Sequence, residues 1–442
     1  MPEIVYNTLL VNKNNELSPP WNWLAFPMEQ KITYPSKEDL KAVVEKLKST
    51  PSFLEAESID KLKEKINDAS KGRSFILQIG DCAERFVDAT KEKTFEKLAF
   101  YTFISSLLSY YIKKPCLPIG RIAGQYAKPR TKAYEVRNKT TLPSYMGDMI
   151  NGFDFNNNAR RPDPFRMLKA FECSKGVYSF LKEFFEKKLQ TSRMEKYLKR
   201  FYRSSDNFPF QKVLKIANDI DCLYTSHDAL NLFYEASLTH RVEENQKAYS
   251  LSGQLLWLGE RTRRINSAHV EYLKNIENPI GIKVSAKAKV DELCQIIESL
   301  NPRGEDGKIL LITRFGSKNV KSHLKKLIKG VLDHKLNVTW ICDPMHGNTI
   351  KSLVNPKTRY LSDIKTELCD TKNILESFGV VLGGLHLEAS TYDVTECVGG
   401  ESVQDLDSLS LRYESYCDPR LNISQTVELV EAFCRDAVAS PR

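Results

Sequence analysis

GIKVSAKAKVDELCQIIESLNPRGEDGKILLITRFGSKNVKSHLKKLIKGVLDHKLNVTWICD, residues 281–343, carries the reading that decides the fold. Three apolar runs of strand length, GIKVS (281–285), ILLITR (309–314) and VTWICD (338–343), are separated by helical stretches. Runs that are apolar throughout mark strands covered on both faces, and a helix between successive strands makes them parallel. The same texture extends outward to FILQIG (75–80), LPIGRIA (117–123), LLWLG (255–259) and VVLGGLHLE (380–388), with CLYTSHDAL (222–230) as a weaker eighth run. Eight such units predict an α/β fold closed as a (β/α)8 TIM barrel, with a doubly wound open sheet as the alternative.

The flanking sequence reads differently. Residues 1 to about 36 mix Pro, Trp and polar residues without periodicity, as in an extended arm that packs on the domain or on a partner. From Ser36 to about Ser70 apolar residues recur at helical spacing, which predicts two short helices, with Ser36, Ser58 and Asp60 as caps. The expected organisation is therefore an N-terminal arm and helical extension over 1–70 and a catalytic barrel over 71–442, with an inserted helical region at about 152–221. Within the insertion, LKEFFEKKLQTSRMEKYLKRFYR (181–203) is amphipathic, basic on one side and aromatic on the other; a membrane-surface or partner helix is the competing reading.

Composition narrows the function. With 442 residues, 41% hydrophobic and 27% charged, the chain is neither collagenous nor disordered. The net charge of +9 suits small anionic substrates, and no aromatic-basic motif calls for nucleic acid. Ten cysteines without a CxxC pair give neither a zinc ribbon nor a disulfide framework, so a reducing cytoplasm is expected. No run of about 18 apolar residues and no basic-then-apolar leader appear, so no membrane or secretory role is expected and the sequon at Asn138 is incidental.

Charged and metal-ligating residues sit at the ends of the apolar runs: Cys82 and Glu84, Arg121, Glu260 and Arg261, Lys283, Arg314, Asp343 and His346, His386 and Glu388. In a barrel all these ends meet at one mouth. Arg121, Arg261, Lys283 and Arg314 together would suit a doubly ionised phosphate and a carboxylate; local pairing with rim carboxylates is the plainer reading for any one of them. Cys82, His346, Glu388 and the later Asp418 form a thiolate, imidazole and carboxylate set fit for a divalent metal ion. His386 and His227 compete as ligands, and Cys82 could equally be packing. Lys128, Arg130 and Thr131, in the turn after the second run, could cradle another phosphate or form a solvated loop.

Longer strings then match a known family. GDCAERF (80–86), RIAGQYAKPR (121–130), LPSYMGDMIN (142–151), WLGERTRRINSAHVEYLKNIENPIGIKVS (257–285), ITRFGSKNV (312–320), CDPMHGNT (342–349), VTECVGG (394–400) and CDPRLN (417–422) follow one another in family order. The sequence resembles the class II (plant-type) 3-deoxy-D-arabino-heptulosonate 7-phosphate (DAHP) synthases. That resemblance implies a barrel that condenses phosphoenolpyruvate with D-erythrose 4-phosphate and water, releasing phosphate, at the first step of the shikimate pathway. It implies a divalent metal ion, Mn2+ or Co2+ ahead of Mg2+, Zn2+ or Fe2+, and a cytoplasmic homo-oligomer.

By position, the family's metal ligands fall on Cys82, His346, Glu388 and Asp418, which sets His386 aside. Its phosphoenolpyruvate contacts fall on Arg121, Glu260, Arg261, Lys283 and Arg314, with Glu260 acting through the attacking water. Lys128, Arg130 and Thr131 fall where the aldose phosphate and its carbonyl end are met, with Lys128 as the donor at the aldehyde. Departures from the pattern are Ile79 for Gly, Met146 for Arg, Phe315 for Met and Asn266-Ser267 for Asp-Gly. A missing Arg at 146 raises a related synthase that uses an amino or imino analogue of the aldose; a catalytically silent scaffold barrel is the third reading. The stretch between Tyr197 and Leu223 is shorter than the insertion of feedback-regulated members. Cys417, beside Asp418, would be able to pair with Cys82 on oxidation if the barrel brings the two thiols together.

Overall fold

The computed structural model describes residues 20–187, 194–196, 199, 209–242, 246–351 and 356–439. Its strands are β1 (Phe75–Gly80), β2 (Cys116–Arg121), β3 (Tyr134–Arg137), β4 (Thr140–Pro143), β5 (Tyr224–Asp228), β6 (Thr239–Arg241), β7 (Ala248–Ser250), β8 (Leu255–Leu258), β9 (Ile280–Val284), β10 (Ile309–Thr313), β11 (Thr339–Cys342) and β12 (Leu382–Glu388). Eight of them close a barrel in chain order, β1-β2-β5-β8-β9-β10-β11-β12, every neighbouring pair parallel. Closure rules out the open sheet, and the weak run at 222–230 supplies β5. The pairs β3–β4 and β6–β7 are antiparallel hairpins set on the connections.

Period-two alternation divides each barrel strand between two surroundings. In β1, Leu77 and Ile79 face outward and pack with Leu98, Phe100 and Ile104 of the Lys91–Ile112 helix. Ile76 faces inward, where it meets Leu117, Ile119, Tyr224, Leu255, Leu310, Ile312 and Ile341. That inner cluster also takes Leu62, Ile66 and Ala69 of the Ala56–Ser70 helix. The helix ends just before β1 begins, so it closes the barrel at the end where the strands start. The N-terminal extension is thus a plug. The loop before β10 fits closely on it: Gly307 has φ +71, and a Cβ there would lie 2.0 Å from the Lys63 carbonyl oxygen.

Ser36 caps the Lys37–Lys48 helix by accepting the Asp39 N–H at 3.0 Å. Ser58 and Asp60 are not caps. The second helix starts earlier, at Ala56, because the Ser58 hydroxyl donates back to the Glu55 carbonyl (2.7 Å) while Asp60 accepts from the Tyr249 hydroxyl. The described part of the arm lies on the barrel's own helices: Trp23 meets Phe233 edge-on at 5.2 Å, Asn231 donates to the Tyr34 hydroxyl, and Ala268 N–H donates to the Pro27 carbonyl. Residues 1–19 of the arm lie outside the described residues.

Between β2 and β5 stand the β3–β4 hairpin and the helices Phe165–Glu186 and Phe210–Asp219. The first of these buries Met167, Phe171, Val177, Leu181 and Phe184 against the barrel's outer layers. Most of the basic-aromatic stretch beyond Lys187 lies outside the described residues, as do 197, 198 and 200–208 of the segment between Tyr197 and Leu223. Among the described residues no helix is long and apolar enough to cross a membrane.

The plug yields a stability prediction. Leu62 and Ile66 are completely buried, so Leu62→Ala and Ile66→Ala should each lower the unfolding free energy by about 2–5 kcal/mol in urea titrations. A loss below about 0.5 kcal/mol, the range of surface substitutions, would mean that the helix does not fill the barrel end.

Candidate active site

At the other end of the barrel the inward positions change from apolar to charged: Arg121 ends β2, Asp228 ends β5, Lys283 lies in β9, Asp343 follows β11 and Glu388 ends β12. They surround a cavity of about 380 Å³ whose lining includes Cys82, Arg121, Lys128, Glu260, Lys283 and Arg314. His346, Asp418, Arg261 and Thr131 line it too. Glu388 lies beneath, with no exposed surface. Arg130 does not reach this cavity. It lines a second one, of about 450 Å³, beneath the β3–β4 hairpin, and Lys128, Thr131, Arg261 and Asp418 are common to both.

The backbone brings the ligand-type residues together from both ends of the chain. Residues after β12 return so that Leu421 N–H donates to the Glu388 carbonyl and Ser390 N–H to the Leu421 carbonyl, which sets CDPRLN beside the barrel rim. Arg420 then grips Asp81 at 2.7 Å and Glu396 at 2.8 Å, fastening this segment to the loop that carries Cys82. As a result Asp418 N–H donates to the Cys82 sulfur at 3.2 Å. One ligand atom each from His346, Glu388 and Asp418 lies within 4.8 Å of the others.

His346 has the tautomer of a ligand. Burial lowers its pKa and favours the neutral ring; Nδ1–H donates to Asp343 at 2.7 Å, which leaves the Nε2 lone pair facing Glu388 Oε1 at 3.0 Å. Glu388 Oε1 is buried without a hydrogen-bond donor of good geometry. Burial disfavours the charges on Glu388 and Asp418, but the surrounding cations, Lys128 and Arg359 for both, outweigh it and hold both carboxyls well below their usual range. Burial also opposes the Cys82 thiolate; the Cys417 hydrogen bond and the Lys128 charge prevail and bring the thiol down to about 6. Cys417 and Cys82 share one small buried cluster, and all ten cysteines are free.

A second trio, Asp343, His346 and His386, has the spacing of a metal site. Its donors are engaged. His386 pairs through Nδ1 with Gln78 (2.6 Å) and through Nε2 with Arg121 (2.7 Å), so a neutral ring donates to the amide oxygen and accepts from the guanidinium. His386 therefore orients Arg121. His227 is elsewhere, buried against Glu235 at 2.9 Å, and side chains at Gly124 or Gly253 would run into its ring. Glu84 accepts the Gly124 and Gln125 N–H groups and ties the loop after β1 to the loop after β2.

The cations are poised by packing. Arg121 is buried, 3.0 Å from Glu388 and over the face of Trp257, and Lys283 stands over the same indole with Asp343 3.9 Å away. Burial, then the Arg121 charge, pulls the Lys283 ammonium down to about 7. Arg314 donates to the His346 carbonyl, while its Nε has no partner. Arg261 donates to the Thr131 hydroxyl at 2.5 Å, and Arg130 faces Glu135 and the Cys417 sulfur. Glu260 accepts from Arg263 and twice from Ser285. Lys128 is 2.6 Å from Asp418 and 3.5 Å from Glu388.

Met146 packs its side chain against the main apolar core and lines neither cavity; only its carbonyl takes part, accepting Lys128 N–H at 2.8 Å. Asn266 takes φ +56 and Ser267 caps the next helix, so the Asn-Ser pair supplies a turn and a helix start. Sequence reasoning passed over Asp228, Trp257, Lys357 and Arg359. Lys357 bonds Asp418 at 3.0 Å and Arg359 bonds Glu388 at 2.7 Å. Neither follows an apolar run, so no strand-end signal pointed to them.

Residues 18–434 match the Class-II DAHP synthetase family. The chain is 36% identical over 441 residues to a phospho-2-dehydro-3-deoxyheptonate aldolase of Streptomyces coelicolor, covering 95% of this chain and 98% of the relative. It is 35% identical to a protein of the same name from Neurospora crassa, with 93% and 92% covered, and 34% identical to the aldolase AroG of Mycolicibacterium smegmatis, with 92% of each covered. With a match that spans almost the whole chain and a closed barrel carrying these residues at one mouth, this protein belongs to the Class-II DAHP synthetase family.

Proposed function

We propose that this protein is a DAHP synthase, condensing phosphoenolpyruvate with D-erythrose 4-phosphate and water to give 3-deoxy-D-arabino-heptulosonate 7-phosphate and phosphate at the entry to aromatic biosynthesis. The observation that carries the reading is a pair of adjoining cationic cavities that share Lys128 and Asp418, beside the His346, Glu388 and Asp418 cluster. Two phosphorylated substrates would each find cations, and their reacting ends would meet where the cavities join.

The residues present suit a divalent ion. A neutral imidazole with a free Nε2, a buried carboxylate oxygen without a hydrogen-bond donor, a second carboxylate and a low-pKa thiol make a mixed donor set. His346, Glu388, Asp418 and Cys82 would hold it, Mn2+ or Co2+ by preference. Such an ion supplies Lewis acidity and charge neutralisation at the aldehyde oxygen.

The chain's own groups have distinct tasks. Arg121, Lys283, Arg314 and Arg261 bind and orient the phosphate and carboxylate of phosphoenolpyruvate, so that its C3 is held against the aldehyde. Lys128 donates a proton to the aldehyde oxygen as the carbon–carbon bond forms. Glu260, fixed by Arg263 and Ser285, orients the water that adds at C2. Arg130 and Thr131 receive the aldose phosphate in the second cavity. Because Met146 lines neither cavity, it gives no support to a modified aldose as substrate. Ten free thiols fit a reducing, cytoplasmic setting.

Phosphate release should require both substrates and a divalent ion, and mass analysis should find a seven-carbon product; release from phosphoenolpyruvate alone at the same rate would reject the assignment. For the metal centre, His346→Ala should weaken divalent-ion binding by more than about 100-fold, while His386→Ala should keep it within about tenfold and weaken phosphoenolpyruvate instead. The reverse order would reassign the ligand.

Phosphoenolpyruvate binds the charged ammonium, so Lys283, with its pKa near 7, is ready below that pH and must take up a proton above it. Affinity should fall by up to about tenfold per pH unit above about 7, with proton uptake seen by calorimetry in buffers of different ionisation enthalpy. An affinity without pH dependence and without proton uptake would place Lys283 out of the anion's reach.

A further inference from the structure

Glu260 is committed to three donors, two from Ser285 and one from Arg263, which suits it to hold a water but leaves open which group takes the proton. Asp228 has what such a group needs. It ends β5, lines the first cavity and is only 6% exposed, yet its Oδ1 has no hydrogen-bond partner. Among the described residues no ion pair engages it either; the nearest carboxylate partner of Lys283 is Asp343. Its position is fixed from the backbone, since its N–H donates to the Gln125 side chain at 3.0 Å and it lies in register with Trp257 on β8. A side chain at position 259 would press on its Oδ2, at 3.1 Å, so Gly259 leaves the carboxylate room at the cavity wall. A buried carboxylate oxygen without a donor is costly unless a ligand or water completes it.

We propose that Asp228 is the catalytic base that accepts the proton of the water adding to C2 of phosphoenolpyruvate. The inference rests on the DAHP synthase reading. As C3 bonds to the aldehyde carbon, the aldehyde oxygen takes a proton from Lys128 and C2 becomes an oxocarbenium centre. The water oxygen then bonds to C2 and its O–H proton passes to Asp228. The C2–O bond to phosphate next breaks, the electron pair leaving with the phosphate, which takes the proton back from Asp228. The new C2 hydroxyl loses its proton as the ketone forms, and this proton restores Lys128. No proton is gained or lost overall, and no redox partner is involved.

Electrostatics agree with the geometry. Burial pushes the Asp228 carboxyl up to about 6, against the pull of Lys283 and of the nearby Trp257 indole N–H, which makes no hydrogen bond of good geometry with it. The charged and titratable groups facing it are Lys283 on β9, Arg121 on β2, Arg261 after β8 and His227 beside it on β5. A base in this range takes and returns protons readily near neutral pH.

The test uses the full chain loaded with Mn2+. Wild-type protein must first release phosphate from both substrates together; if it does not, the parent reading fails before Asp228 is tested. If it does, Asp228→Asn should lower kcat by about 100-fold or more, keep phosphoenolpyruvate affinity within about threefold, and abolish the acid limb of the kcat–pH profile. Asp228→Glu, which keeps a carboxylate, should retain that limb at reduced kcat, and it serves as the measure should the Asn variant not fold. Wild-type kcat with the limb intact in Asp228→Asn would overturn the proposal. So would a loss confined to phosphoenolpyruvate affinity, which would make Asp228 a positioning residue for Lys283, and so would loss of the limb in Asp228→Glu.

Discussion

Glu388 is a carboxylate removed from water at the end of β12, and the mouth of the barrel is organised around keeping it charged. An ionised carboxylate in that position is affordable only with partners on every side. Arg121 comes from β2, Lys128 from the loop after β2 and Arg359 from the segment beyond, at 3.0, 3.5 and 2.7 Å, while the neutral His346 ring from the loop after β11 stands 3.0 Å away. Each partner is also used elsewhere: Arg121 by His386, His346 by Asp343, Lys128 by Asp418. A change at Glu388 would therefore be felt in both cavities and in the proposed metal centre. The Arg420 fork that joins Asp81 to Glu396 has a parallel effect at the rim, since it decides that Cys82 and Asp418 are neighbours.

The barrel was legible in the sequence because parallel strands between helices and a core must be apolar on both faces, as ILLITR and VTWICD are. β5 was the weak member for a reason visible in the structure. Its inward side chains, Ser226 and Asp228, face a polar part of the interior, where Ser226 accepts from Gln78 across the barrel at 3.0 Å. β5 gives two of its inward positions to polar side chains and so reads less like a core strand than its neighbours. The plug was half legible: helical spacing around Leu62 and Ile66 announced a buried face, but nothing local says that the face is buried inside a barrel end. Helix starts were least legible, since the Ser58 hydroxyl can cap a helix or bond back within one, and the choice depends on what surrounds the preceding turn.

For the site, charges placed within or just beyond apolar runs were strong signals, and Arg121, Lys283 and Arg314 all face the first cavity. Spacing could not separate His346 from His386. The difference lies in which ring nitrogens are already occupied, a property of Gln78 and Arg121, residues hundreds of positions away. Arg359 and Lys357 gave no signal because they act from a loop, and Met146 gave a misleading one, since a change from a charged to an apolar residue carries no information on the direction of the side chain.

His386 shows how the barrel's polar interior serves the chemistry without touching it. The Gly120 carbonyl accepts from Ser226, Ser226 accepts from Gln78, Gln78 accepts from His386, and His386 accepts from Arg121. Each side chain in this chain has its donor role fixed by the one before it, starting from a backbone carbonyl that can only accept. The imidazole is thereby compelled to present a lone pair, not a proton, to Arg121, and burial works in the same direction by disfavouring the charged ring. A cation beneath a mouth already crowded with Lys283, Arg314 and Arg261 would otherwise face repulsion with nothing on its inner side. The ladder supplies a neutral acceptor there, while the other terminal nitrogen of Arg121 donates to the Cys82 carbonyl and lies 3.0 Å from Glu388, so the guanidinium is held from both sides at the place where an anion would arrive.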